Sequence, residues 1–539
     1  MKFFISLLVL LLHLPLMAEI SLPALFSDGM ILQQKIAAPV WGWAPAGTQV
    51  SVQFGSQSKN TSVDSSGKWM LKLDPLEANA QAQELKITVG SETKTISDVL
   101  VGEVWLCGGQ SNMDFTMAAI ARPSRTPETQ IVADTVAKEV ATANDDLFRQ
   151  ISVPKTVSAF KELNNFKGSW IKSSPENNGN FSCTGYFFGR ELRRKLNVPV
   201  ALIKAPWGGT LVEPWIPMDS FKETAELTAF YKEKTAHIEK GLKYWDQQKI
   251  DSQYKKTLDD WKVKFKEAKA NKKKLPRKPK KRQRPDMSNR DPSTLYNGMI
   301  HCLAPYAIKG AIWYQGESNA NYHPELYENH FSTLIKAWRK VWAQGDFPFY
   351  YVQLASFKDA QSEPLEKDGW ATVLDQQRRT LKVKNTGMAI ANDIGEAKDI
   401  HPKNKIEVGQ RLSLWALKKD YGQDIAHHSG PLYQKAEFAN GQAIISFTEC
   451  ADGLKVAEKT ALDAPVDSDK ALSGFQVCGA DRQWKWANAK ITSKNQVTVS
   501  HAEIKEPTEV RYFWYANIEG KVRLYNSANL PASTFTTAK

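Results

Sequence analysis

The chain has 539 residues, too many for one hydrophobic core, so we expect about three domains. Its 42% hydrophobic and 24% charged residues exclude a disordered or fibrous protein. The net charge of +13 is local, because nine Lys and Arg residues lie between Lys272 and Arg284, and without them the net charge would be +4. No zinc-finger, helix-turn-helix or RNA-binding signature accompanies this run. It favours a solvated basic loop over a nucleic-acid site, while attraction to an acidic glycan or anionic cell surface stays open.

The first 18 residues differ from the rest of the chain. Lys2 precedes an apolar run from Phe3 through Leu12, and the small residue Ala18 follows. The run is shorter than the ~20 residues that cross a bilayer, so it predicts a secretory signal peptide over residues 1–18 rather than an anchor. No other stretch is long and apolar enough to span. We therefore expect a secreted or periplasmic protein with no membrane-spanning segment after cleavage.

Two kinds of strand pattern follow the signal. In residues 19–97, Val50, Val52 and Phe54 alternate with polar residues between glycine-containing turns, which predicts an N-terminal β-sandwich. In residues 98–428 the apolar runs become nearly continuous, at 99–107, 198–205, 308–314, 347–354 and 388–391. Such runs are typical of parallel strands covered by helices, for which 186–196 is one candidate. This pattern predicts a doubly wound α/β domain.

An insert and a C-terminal domain complete the predicted order. Apolar residues three and four apart in residues 221–270 predict a helical hairpin, which the basic, Pro-containing loop follows, so we place an insert at about 221–290. Alternating strands return in residues 429–539 and predict a second β domain.

Five cysteines are too few for a disulfide framework in an exported chain of this length. Cys450 and Cys478 could pair, whereas Cys107, Cys183 and Cys302 lie in apolar or aromatic contexts and are expected to be buried thiols. None has a metal-ligand neighbour at finger spacing, so we expect no structural zinc.

Candidate functional residues follow the predicted strands. Ligands bind beyond the carboxyl ends of strands in open α/β sheets. The first run ends in a glycine pair followed by Gln110 and Ser111, a turn that can expose a serine hydroxyl. A serine nucleophile needs a base, and His401 follows the last sheet strand, with Asp399 two residues before it. Together these strand ends predict an acyl-transfer site.

Four blocks carry a family resemblance: Gly-Glu-Val-Trp-Leu-Cys-Gly-Gly-Gln-Ser-Asn-Met (102–113), Trp-Gly-Gly-Thr-x-x-Glu-x-Trp (207–215), Trp-Tyr-Gln-Gly-Glu-Ser-Asn (313–319) and Asp-Ile-His-Pro-x-Asn-Lys (399–405). In this order they closely resemble the sialate O-acetylesterase family of SGNH-type hydrolases, over almost the whole mature chain. The resemblance implies an SGNH-hydrolase-like doubly wound parallel sheet flanked by N- and C-terminal β-sandwich domains. The helical insert and its basic loop depart from the family pattern.

The resemblance also implies roles for individual residues. It makes Ser111 the nucleophile and His401 the general base, with Asp399 orienting the histidine and Asp393 as the alternative acid. The oxyanion donors would be the backbone N–H groups of Ser111 and Gly209 and the side-chain amide of Gln315. Asn112 and Glu317 would support the site, Glu317 by orienting its loop rather than by transferring protons.

The resemblance implies an O-acetylated sugar or glycan as the partner, with no metal or organic cofactor; the sequence gives no oligomeric state. O-acetylated sialic acid is the first candidate substrate. Acetylxylan or another plant polysaccharide is the second, since the same blocks occur in hydrolases of neutral sugars. A non-catalytic glycan-binding protein is the third hypothesis, against which the intact Ser111, Gln315 and His401 speak.

Overall fold

A computed structural model of the chain describes residues 19–517 and 520–538, so the predicted signal peptide lies outside the described residues. The strands before the insert are β1 (Ile31–Gln33), β2 (Ala38–Trp43), β3 (Gln49–Phe54), β4 (Gln57–Ser62), β5 (Lys68–Leu73), β6 (Asn79–Val89), β7 (Glu92–Gly109), β8 (Asp145–Ser152), β9 (Trp170–Ser173) and β10 (Val200–Lys204). After the insert come β11 (Gly310–Tyr314), β12 (Phe349–Gln353) and β13 (Thr386–Ile390). The helices are α1 (Ser111–Asp114), α2 (Met117–Ile120), α3 (Pro127–Thr142), α4 (Cys183–Leu196), α5 (Ala225–Lys243), α6 (Gln247–Ala270), α7 (Tyr327–Trp342), α8 (Gly369–Arg379) and α9 (Lys405–Lys419).

A single long strand, β7, organises the first 430 residues. Its first half pairs antiparallel with β6, and its second half pairs in parallel with β10 and β11. The main strand order is β13-β12-β11-β7-β10-β8-β9, in which the edge strand β9 is antiparallel and the other six are parallel. Strands β1, β3, β4 and β6 join through β7 to make an 11-stranded mixed sheet, while β2 and β5 pair with each other in a separate two-stranded sheet. The fold is therefore mixed α/β, and the predicted boundary between residues 97 and 98 falls inside a strand.

Helices pack on both faces of the parallel strands. On one face, Trp105 of β7 meets Phe188 of α4, with ring centroids 4.9 Å apart. On the other face, Trp313 of β11 meets Phe331 and Trp338 of α7, at 6.0 and 5.8 Å. Successive side chains of a strand point to opposite faces, so a strand covered on both sides must be apolar throughout. This accounts for the continuous apolar runs in the sequence.

The parallel strands deliver their following loops to one edge of the sheet. At that edge the chain leaves β7 through Gly109, which has φ +125°, and a Cβ there would lie 2.2 Å from the carbonyl oxygen of Tyr314. Only glycine permits this approach, which brings the end of the central strand against the end of β11. Ser111 lies two residues after Gly109, directly beyond this turn.

The C-terminal strands form three smaller sheets. They are β14 (Leu432–Ala439), β15 (Gln442–Thr448), β16 (Leu454–Glu458), β17 (Val466–Asp467), β18 (Phe475–Cys478), β19 (Lys485–Trp486), β20 (Asn488–Ser493), β21 (Gln496–Ser500), β22 (Glu509–Tyr512), β23 (Val522–Asn526) and β24 (Phe535–Thr536). Their orders are β14-β15-β21-β20, β17-β16-β23 and β19-β18-β22-β24. Phe475, Tyr512 and Phe535 lie in a hydrophobic cluster separate from that of the large sheet.

All five cysteines are free and buried. The suggested pairing of Cys450 with Cys478 is wrong in this structure. Cys450 follows β15 and its thiol faces the carbonyl oxygen of Phe447, whereas Cys478 ends β18, in another sheet, and faces Glu509. Burial raises the pKa of the Cys183 and Cys302 thiols to about 12, as expected for inert core thiols.

The predicted hairpin of the insert is present as α5 and α6, and α6 buries none of its side chains. The basic segment that follows runs back along α6: the indole Nε1 of Trp261 donates to the carbonyl oxygen of Pro276 at 3.0 Å, and Lys281 pairs with Asp251 at 2.6 Å. Residues 247–284 carry 16 Lys and Arg against four acids, or +12 of the chain's +13. We call these residues the basic arm. No helix within the described ranges is long and apolar enough to span a membrane.

Candidate active site

Ser111 lies directly beyond the end of the central strand. It is the first residue of α1, and its neighbour Gln110 donates its backbone N–H to Tyr314 O at 2.9 Å. On the other side, the N–H of Trp207 donates to Gly109 O at 3.0 Å. The loops after β10 and β11 therefore hold the turn from both sides and leave the Ser111 hydroxyl half-buried at the edge of the sheet.

His401 lies in the loop between β13 and α9, 290 residues further along the chain. Its Nε2 is 2.9 Å from Ser111 Oγ, and the ring of Phe115 packs on the imidazole at 4.8 Å between centroids. Asp399 Oδ1 lies 3.4 Å from His401 Nδ1 and also accepts the backbone N–H of His401 at 2.9 Å. These contacts favour the tautomer with the proton on Nδ1 and a lone pair on Nε2 directed at the serine.

Asp393, the alternative acid, has other partners. Its carboxylate pairs with both terminal nitrogens of Arg411, at 2.6 and 2.8 Å, and accepts the hydroxyl of Tyr525 at 3.2 Å. The Asp393 side chain is 1% exposed. A buried guanidinium thus uses both oxygens of Asp393, and the geometry favours Asp399 as the partner of His401.

The loop after β10 lies against the serine. A Cβ on Gly208 would lie 3.2 Å from the Cβ of Ser111, and Gly209 has φ +75°. In the described part of the chain, the backbone N–H groups of Ser111 and Gly209 donate to no other protein group. Arg290, at the end of the insert, donates to the Gly209 carbonyl oxygen at 3.1 Å. Two backbone donors are therefore free on the Ser111 side of the site.

The Gln315 side chain is fully buried and already bonded. Its Nε2 donates to Thr210 O at 3.1 Å and to Asn319 Oδ1 at 2.8 Å, while its Oε1 accepts the hydroxyl of Tyr327 at 2.9 Å. An amide nitrogen has two hydrogens, and both are used here. Gln315 thus ties the end of β11 to the loop after β10, and its role as an oxyanion donor stays a prediction that requires it to release one acceptor.

Asn112 and Glu317 contact each other behind the serine, as supporting residues would. The amide nitrogen of Asn112 donates to Glu317 Oε1, and Lys405 Nζ donates to Asn112 Oδ1 at 2.7 Å. All three side chains are buried. Burial raises the pKa of Glu317 and lowers the pKa of Lys405 to about 8. Sequence reasoning gave Lys405 no role, although it ends the last of the four blocks.

This arrangement suits nucleophilic chemistry. Burial lowers the pKa of His401, and the positive charge of Lys405 lowers it further, against the opposing effect of Asp399. A neutral imidazole beside a hydroxyl can accept the hydroxyl proton. Within the described ranges, no group of three or more His, Cys, Asp or Glu side chains could hold a metal ion.

The sequence matches known esterases. The family model described as "Carbohydrate esterase, sialic acid-specific acetylesterase" matches residues 285–418. Human sialate O-acetylesterase is 30% identical over 508 residues, which cover 87% of this chain and 82% of that protein. The mouse protein of the same name is 28% identical and covers 90% and 87%.

A solved structure extends the match to three dimensions. The crystal structure of a carbohydrate acetylesterase from Xanthomonas citri aligns with 97% of this chain and 100% of its own, at 31% identity and a TM-score of 0.76. The chain belongs to the sialate O-acetylesterase family, and it is an ester hydrolase.

Proposed function

We propose that the protein is a secreted serine esterase that removes O-acetyl groups from carbohydrate through an acetyl-serine intermediate, with O-acetylated sialic acid as the first candidate substrate. The observation that carries the mechanism is the 2.9 Å contact between Ser111 Oγ and His401 Nε2. The secreted location rests on the signal-like sequence of residues 1–18. The backbone N–H groups of Ser111 and Gly209 have no acceptor within the described residues, and this supports the same chemistry.

In the first half of the reaction, Ser111 Oγ attacks the carbonyl carbon of the acetyl ester while His401 Nε2 takes the hydroxyl proton. The negative charge that develops on the carbonyl oxygen meets the N–H groups of Ser111 and Gly209. His401 then gives its proton to the departing sugar oxygen, and the acetyl group stays on Ser111. Asp399 accepts a hydrogen bond from Nδ1–H and stabilises the imidazolium that forms.

In the second half, water attacks the acetyl-serine. His401 Nε2 takes one proton from the water, the hydroxyl oxygen adds to the acyl carbon, and the same proton goes to Ser111 Oγ as acetic acid leaves and gives its own proton to the solvent. Both halves use the same base, His401, and the same backbone donors, the N–H groups of Ser111 and Gly209.

The detailed architecture of the protein and the sugar that carries its acetyl substrate are also proposed. We propose an SGNH-type core, with the nucleophile after the central strand and the histidine before the last helix of the sheet, flanked by β-sandwich domains. Xylan or another neutral polysaccharide is the second candidate acetyl carrier, since the Xanthomonas citri protein is named only as a carbohydrate acetylesterase.

Acetate release decides between these substrates. Acetylated sialic acid and acetylated xylan are incubated side by side with the enzyme and with Ser111→Ala, and the free acetate is quantified. The proposal expects release from sialic acid above the Ser111→Ala level. Release from xylan alone would move the substrate to neutral polysaccharide, and release from neither would contradict carbohydrate deacetylation.

The pH dependence of the reaction should reflect the environment of His401. Because burial and the charge of Lys405 lower the pKa of His401 below 6.5, the neutral base persists into mildly acid solution. As pH falls through the lowered pKa, His401 is protonated and kcat/KM decreases. We expect the midpoint of this acid limb below pH 6.5, measured with a neutral acetyl ester that does not itself titrate. A midpoint above 6.5 would show that burial and Lys405 do not lower the pKa of His401 in the free enzyme.

The basic arm is expected to strengthen the binding of acidic polysaccharides without changing the rate of ester hydrolysis. Deleting residues 272–284 should leave turnover of a small neutral acetyl ester nearly unchanged, because α6 and its basic segment contribute no buried side chain. Binding to an acidic polysaccharide should weaken, and the loss should disappear at high salt, since exposed charges are screened beyond about 10 Å at 0.1 M salt. Both quantities are measured at low and high salt. Lost small-ester activity in the folded deletion variant would show that the segment shapes the site.

A further inference from the structure

The neighbours of both proposed catalytic residues are held by one buried network. Asn112, which follows Ser111, donates from Nδ2 to the carbonyl oxygen of Ile400 at 3.1 Å. Lys405 donates from Nζ to the carbonyl oxygen of Pro402 and to Asn112 Oδ1. Ile400 and Pro402 are the two residues that flank His401 in the chain. The network therefore fixes the backbone on either side of the histidine.

The same network reaches the other side of the serine. With its amide nitrogen turned toward the two oxygens that face it, Gln110 donates to Glu317 Oε2 at 3.0 Å, while Glu317 Oε1 accepts from Asn112. Glu317 thus bonds both residues that flank Ser111. We call Asn112, Glu317 and Lys405 the buried clamp.

Charge fixes the internal order of the buried clamp. The ammonium group of Lys405 can only donate, and the ionised carboxylate of Glu317 can only accept. The Asn112 amide lies between them, with its oxygen toward Lys405 and its nitrogen toward Glu317. Reversing this amide would place its oxygen against the carboxylate and its nitrogen against the ammonium group, so a single orientation is stable. A fully satisfied buried network of this kind holds one geometry and resists alternatives.

We propose that Lys405, acting through Asn112 and Pro402, is a positioning residue that holds the imidazole of His401 against the Ser111 hydroxyl. The proposal rests on the serine mechanism above. Lys405 begins α9 and has no exposed surface, so it contacts none of the reacting atoms and positions His401 through the loop it binds. A misplacement of about 1 Å between reacting groups can lower a rate about a hundredfold, which sets the scale of the expected effect.

The test replaces Lys405 by methionine, which keeps the length of the side chain and removes its charge and donors. We expect kcat for a small acetyl ester to fall about a hundredfold while KM changes less than about threefold, because substrate contacts stay in place. We also expect the acid limb of kcat/KM to move to higher pH, since a positive charge that lowers the pKa of His401 is gone. A merely structural role would lower the unfolding temperature without separating kcat from KM, and the shifted limb reports the loss of the Lys405 charge.

The charges that act on His401 are those of Lys405 and Asp399. The adjoining elements carry further charged groups: Glu396 and Lys403 on the same loop, Glu317 after β11 and Asp114 in α1. Arg411→Met is the matched control, since Arg411 is a second buried cation of α9 whose acid partner is Asp393. It should lower the unfolding temperature, keep kcat of the folded enzyme within about threefold and leave the acid limb in place.

Glu317→Gln keeps the proposal testable if Lys405→Met does not fold. Glutamine keeps the shape and one acceptor oxygen but cannot accept from both Asn112 and Gln110, so kcat should fall about tenfold. The acid limb should move less than in Lys405→Met, because the charges that act on His401 are those of Lys405 and Asp399. The proposal is overturned if folded Lys405→Met keeps its kcat and acid limb, or, where that variant does not fold, if Glu317→Gln keeps its kcat. Activity that survives in Ser111→Ala would instead refute the serine mechanism itself.

Discussion

Alanine in place of Ser111 or His401 is expected to lower turnover of a small acetyl ester by about four orders of magnitude while the protein stays folded. Ser111→Ala removes the attacking oxygen, and His401→Ala removes the base that lies 2.9 Å from it. Both side chains are only half-buried, so neither substitution opens a core cavity. kcat is measured with a neutral ester, and thermal unfolding is followed by circular dichroism.

Matched controls separate this loss from a general effect of the same substitutions. Ser493→Ala and His501→Ala change the same residue types near the C-terminal strands β20 and β21 and should keep full activity. Retention of more than a few per cent of turnover in Ser111→Ala or His401→Ala would contradict the serine-esterase mechanism. Equal losses in the controls would assign the effect to folding.

Asparagine at positions 399 and 393 should separate catalysis from stability. Asp399→Asn removes the charge that faces His401 Nδ1, so kcat should fall about a hundredfold or more. The Asp399 side chain is 51% exposed, so the free energy of unfolding should change little. Asp393→Asn leaves Arg411 buried without its counter-ion and should lower the free energy of unfolding by about 3 kcal/mol or more, with kcat of the folded enzyme nearly unchanged.

Kinetics and denaturant unfolding of the two variants check both halves of this comparison. A large loss of kcat in Asp393→Asn together with normal turnover in Asp399→Asn would reverse the assignment of the acid. Little loss of kcat in either variant would mean that a backbone carbonyl orients the histidine.

The sequence predicts most of the parallel strands because a strand that is buried on both faces is a continuous run of apolar residues. The apolar runs at 99–107, 198–205 and 308–314 correspond to β7, β10 and β11, and the three- and four-residue spacing in the insert corresponds to α5 and α6. Strands β8 and β9 were not predicted. Arg149 is buried in β8, and its guanidinium bonds to carbonyl oxygens of Gly29 and Asp98, so the strand lacks the apolar run that marks the others.

The sequence predicts those site residues whose type and place directly after a strand indicate their function. Ser111, His401 and Asp399 lie together as the strand-end argument expects. Partners that depend on three-dimensional packing were not predictable. Nothing local in the sequence indicates that Thr210 and Asn319 occupy the amide of Gln315, or that Lys405 reaches Asn112, 293 residues away.

The length of β7 means that no catalytic fragment can be cut from this protein at residue 97. Such a cut would remove the first six residues of β7, the strand that leads to Ser111, together with β6, which pairs with β7. It would also remove Gln33 and Gln34, whose amides donate to both carboxylate oxygens of Glu103, and so leave this buried side chain of β7 with the Tyr421 hydroxyl as the one remaining donor among the described residues. The N-terminal strands are a covalent and structural part of the esterase, and recombining them between relatives would require exchanging the nucleophile strand with them.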